Sequence, residues 1–141
     1  MRTEELMNRL IIALTAYSVS FDLQYVYTAK EVSESERAMI ADSLKALGIS
    51  VPSLCDIRDM LKEWIAATKG EEYAKYIRKY NAIVLTKCFH LKFPPKKYGD
   101  ASAIMAIRDD VQEYIERIVM CRVNDDIECS KKYQARVQAR I

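Results

Sequence analysis

The sequence predicts an all-α fold, a mostly helical single-domain bundle of about five or six helices. Three observations carry that prediction. Only 3 Gly and 3 Pro occur in 141 residues, so helix breakers are scarce. The chain is 50% hydrophobic and 30% charged, a balance that allows a core and excludes a disordered or fibrous chain. Through most of its length, apolar residues recur at intervals of three and four, the period of a helix with one buried face.

The first element is announced by Thr3 followed by Glu4 and Glu5, a cap oxygen and two carboxylates at the positive end of a helix dipole. Leu6, Leu10, Ile11, Leu14 and Tyr17 then form an apolar stripe, and a helix is expected to about Tyr17. From Val19 to Thr28 the pattern alternates instead, as on a half-buried strand or an extended connection. Ser33 with Glu36 is a capping box that opens a second helix through Met39, Ile40, Leu44 and Leu47 to Gly48. Ser53 and Asp56 repeat the box after Pro52, and Leu54, Ile57, Leu61, Trp64 and Ile65 give the next helix its core face as far as Gly70.

Tyr73, Tyr76, Ile77, Tyr80 and Val84 again keep helical spacing. Ile83 to Phe93 also alternates, so this stretch reads either as a helix to about Phe89 or as a strand. In the second case 83–93 could pair with 19–28 as a minor two-stranded element. Pro94 and Pro95 end either one, because proline lacks an amide donor and disfavours helix in the residue before it. Lys96 to Gly99 is a loop.

Asp100 to Val123 is the longest segment with one sustained helical period, and it is expected as the rod around which the shorter helices pack. Its seam is Ile104, Ile107, Val111, Tyr114, Ile118 and Cys121. Asn124, Asp125 and Asp126 are expected to interrupt it before a basic helix from Glu128 to Ile141. Nothing in the 141 residues resembles a repeat or a dividing linker, so 1–141 is read as one helical domain, with 127–141 as a loosely packed C-terminal helix.

The net charge of +2 hides an asymmetry of −2 in residues 1–70 and +4 in 71–141, too mild to be a nucleic-acid footprint by itself. Cys55, Cys88, Cys121 and Cys129 form no C-x-x-C pair, and the N-terminus lacks the basic region and cleavage site of a signal peptide. Unpaired thiols in a reducing compartment follow, so the expected location is cytoplasmic. The longest early apolar run, Leu10 to Leu14, is far below the roughly 20 residues that span a bilayer, and no membrane partner is expected.

Signatures of chemistry are absent. With Gly confined to positions 48, 70 and 99, no phosphate-cradling loop can be assembled, and the sequence contains no H-E-x-x-H. Cys88, Cys121, Cys129 and His90 have the ligand types of a zinc site without its C-x₂₋₄-C knuckles; buried thiols at Cys88 and Cys121 and a partly exposed His90 are the simpler expectation. Cys88 and His90 would share a face only on a strand, where a nucleophile–base dyad is conceivable. Asp109, Glu113 and Glu116 share a helix face, but no Glu-x-x-His pair joins them and Arg117 stands four residues after Glu113, as in a surface ion pair. Catalytic residues, cofactor and metal are therefore all read as none, and the chain as a non-enzyme.

Two surfaces remain. Ile104, Ile107, Val111, Tyr114, Ile118, Trp64, Tyr76 and Tyr80 offer apolar and aromatic area suited to a protein partner, first of all a second copy of the chain. Lys92, Lys96, Lys97 and Tyr98, together with Lys132, Arg136 and Arg140 at spacings of four, combine cations and aromatics in the way single-stranded nucleic acid requires. The leading expectation is an interaction or adaptor module working through amphipathic helix faces and forming a homo-oligomer. The alternative is a small nucleic-acid-binding accessory protein.

Overall fold

The computed structural model describes residues 2–21, 42, 45–46, 50, 52–94 and 101–140. The described elements are α1 (Arg2–Phe21), α2 (Leu54–Lys69), the single turn α3 (Glu71–Ala74), α4 (Lys79–Lys92), α5 (Ala101–Ala106) and α6 (Arg108–Ala139). No strand occurs among the described residues, and the fold is an all-α bundle. The helix expected over 33–48 lies outside the described residues, except for Asp42, Lys45 and Ala46, which are helical. Of 19–28, only Val19 to Phe21 are described, and they continue α1. Residues 95–100, with most of the basic loop, also lie outside.

α1 sits at the centre. Its first turn carries Glu4 and Glu5 as expected. Its stripe, however, widens into burial on several faces: Leu6, Met7, Leu10, Ile11, Ala13, Leu14, Ala16 and Val19 are all buried. A single stripe cannot bury consecutive residues, and α1 does so because it packs against α2, α4, α5 and α6 together. Ala13 and Ala16 leave room for close neighbours. The two buried hydroxyls are satisfied, Thr15 donating to the Ile11 carbonyl at 2.7 Å and Ser18 sharing a 2.6 Å hydrogen bond with His90 Nδ1. Each fully buried Leu or Ile here is worth about 1.5–3 kcal/mol. The expected organising rod, 100–123, is thus replaced at the centre by α1.

α2 forms as its sequence requires. Ser53 Oγ accepts from the Asp56 amide at 3.1 Å and the Asp56 carboxylate accepts from the Ser53 amide at 3.0 Å, a complete capping box. Ile57, Leu61, Trp64 and Ile65 are buried against α1 and α4. Gly70 ends the helix at φ 102°, a conformation other residues enter only with strain.

The continuous helix expected from Glu71 is divided in two. α3 lasts one turn, Arg78 is extended at φ −119° and ψ 163°, and α4 starts at Lys79. Ile77 is drawn into the core at the break. The strand reading of 83–93 is corrected to helix: Ala82, Leu85, Thr86 and Phe89 are buried at helical spacing, whereas Leu91, which alternation would bury, is 81% exposed. Pro94 follows the last turn, and Phe93 closes it by donating its amide to the Phe89 carbonyl.

The long helix is corrected twice. Ile107 breaks it at φ −104° and ψ 31°, separating α5 from α6, and the break shifts the phase of everything downstream. The residues that bury are Val111, Ile115, Val119 and Val123, spaced by four. Ile107 and Cys121, expected in the seam, are exposed; Tyr114 and Ile118 are half-buried at its edge. Second, Asn124, Asp125 and Asp126 do not interrupt the helix, which runs on to Ala139.

α4 and α6 run antiparallel. Asn81 Nδ2 donates to Asp126 Oδ2 at 2.9 Å, and toward the other ends the Phe93 and Tyr114 rings meet edge-on with centroids 5.5 Å apart. The same register sets α6 residue 128 opposite Lys79, where α4 begins. Beyond that point α4 offers α6 nothing to pack on.

Candidate functional site

The structure divides the residues expected to form a surface into three groups. Trp64, Ile104 and Val111 are buried in the chain's own core. Tyr76 and Ile118 are half-buried and packed against it, and Tyr114 is half-buried with its ring edge-on to Phe93. Tyr80 is exposed, its hydroxyl accepting from Arg122 Nη1 at 3.4 Å, and so is Ile107.

The basic set is also divided. Lys92 is exposed beside Phe93, Asp110, Tyr114 and Arg117, around an open cleft of about 290 Å³. Lys132 lies 18 residues beyond Tyr114, five helical turns or roughly 27 Å along α6. Lys92 therefore does not share a patch with Lys132, Arg136 and Arg140, which are themselves exposed together on the last turns of the chain. Lys96, Lys97 and Tyr98 lie outside the described residues.

The chemistry-bearing clusters resolve into ordinary contacts. On helix α4, Cys88 and His90 are two residues apart and so point to different sides. His90 faces Ser18, whose own side chain is 1% exposed, while Cys88 neighbours the Tyr114 hydroxyl. Burial first, and then the Cys88 thiol beside it, pushes the Tyr114 phenol above its ordinary 10.0. Cys88 is half-buried and Cys121 exposed, which corrects the expectation of two buried thiols. Glu113 pairs with Arg117 as its spacing predicts, and Glu116 accepts from Gln112 at 3.2 Å. Among the described residues no group of three His, Cys, Asp or Glu side chains is gathered to hold a metal ion, and no helix is long and apolar enough to cross a membrane.

What stands out instead is the arm of α6 beyond Asp126. Every residue from 131 to 140 is exposed. Tyr133 is 69% exposed and Val137 44%. Their positions follow the core face: eighteen residues are five turns, so Tyr133 repeats the orientation of Ile115, and Val137 that of Val119. The line of residues that α6 buries in its first half continues into the arm, where Tyr133 and Val137 are exposed. In the sequence Tyr133 and Val137 stand four residues apart beside the basic stripe; the eighteen-residue repeat of the core face is the signal that picks them out. Along the C-terminal half of α6 the charges are sorted, with Asp125, Asp126 and Glu128 first and Lys131, Lys132, Arg136 and Arg140 after.

No family model matches the chain, and neither a curated protein nor a solved structure matches it.

Proposed function

We propose that this protein is a non-enzymatic interaction module whose contact element is the C-terminal arm of α6. One observation carries the reading: an unbroken helix leaves the bundle with its apolar line, Tyr133 and Val137, uncovered. Exposed aromatic and aliphatic side chains on a preformed helix are the anchors of helix-mediated protein contacts, and preformation lowers the ordering cost of binding. The core of the bundle serves as the mount that holds the arm out. The test is Tyr133→Glu with Val137→Glu. Thermal unfolding should stay as in the parent chain, while association, followed by sedimentation and by co-purification from the native host, should be lost. Unchanged association would reject the reading.

The nucleic-acid alternative draws on Lys132, Arg136 and Arg140, exposed along one edge of the arm. Asp125, Asp126 and Glu128 at the base of the arm, and the distance to Lys92, count against a continuous phosphate-tracking surface. Binding to DNA or RNA at low salt that falls steeply with added salt and with neutralisation of Arg136 and Arg140 would favour it over the protein contact.

A further inference from the structure

We draw no further inference here: the strongest candidate, the exposed line of Tyr133 and Val137 on the C-terminal arm of α6, is an apolar helix face, and nothing in the structure shows what covers it.

Discussion

α1 and the arm of α6 are both regular helices, and they met opposite fates. α1 has helices on nearly every side and buries even Thr15 and Ser18. In the arm every residue from 131 to 140 is exposed. A helix surrounded like α1 owes its shape to packing and has no surface left to give. The arm owes its shape to its sequence, through residues such as Lys131, Lys132, Gln134, Ala135 and Arg136 with good intrinsic helix propensity, and its residues 131–140 are exposed. Stability and recognition are thus assigned to different parts of the same bundle.

That separation can be broken first at α1. Leu10→Ala or Ile11→Ala removes a fully buried side chain and should cost about 2–5 kcal/mol in urea unfolding, whereas Val137→Ala should cost under about 0.5 kcal/mol. Comparable losses at the two sites would deny the division. The junction between the regions comes next. Asn81→Ala removes the hydrogen bond to Asp126 from a nearly buried position and should cost about 1–2 kcal/mol, with amide exchange accelerating through the arm more than through α1.

Smaller again is the entry to α2, where Ser53→Ala should lose about 1 kcal/mol. Hydrogen bonds from the Ser53 amide and hydroxyl hold the Asp56 carboxyl below its ordinary 3.8. The stability they contribute is present above the unfolded-state value and is lost as pH falls through the folded one. Acid titration of Asp56→Asn should therefore show a flatter dependence below about pH 4 than the parent chain. The smallest effect is alkaline. Because Tyr114 is raised, its contribution is whole below pH 10 and disappears as pH climbs through the folded-state value; Tyr114→Phe should remove this limb in unfolding curves taken between about pH 9 and 12. An unaltered limb would show that the phenol does not feel its burial.

The sequence was most readable where local chemistry decides. The Ser53–Asp56 box and the core face Ile57, Leu61, Trp64, Ile65 needed no tertiary information, and neither did the stop before Pro94. The misread places are those where neighbours decide. Alternation over 83–93 arose because Lys87 and Leu91 happen to fall between residues that a helix buries. The seam of the long helix was extrapolated through Ile107, and one irregular residue there is enough to turn all later positions, so Ile115 and Val119 replace Tyr114 and Ile118. Asn124 to Asp126 resembled a break because these residues are weak helix formers. The penalty is only a few tenths of a kcal/mol each, and the tether from Asn81 to Asp126 holds the chain in line. Of the candidate contact residues, Tyr80 and the cations at 132, 136 and 140 are exposed as a contact requires. Burial of Trp64, Ile104 and Val111 depends on α1 filling the centre, which no periodicity in 100–123 discloses.

The continuity of α6 has a mechanical consequence. At 32 residues the helix is a rod roughly 48 Å long, held by Val111, Ile115, Val119 and Val123 and by contacts at Asp126 and Ile127, and exposed on all sides from 131 to 140. A rod clamped at one end and loaded at the other acts as a lever, and its fulcrum is the hydrogen bond between Asn81 and Asp126. Any force applied at Val137 therefore arrives as torque on the N-terminus of α4, and through α4 on the Ser18–His90 contact with α1.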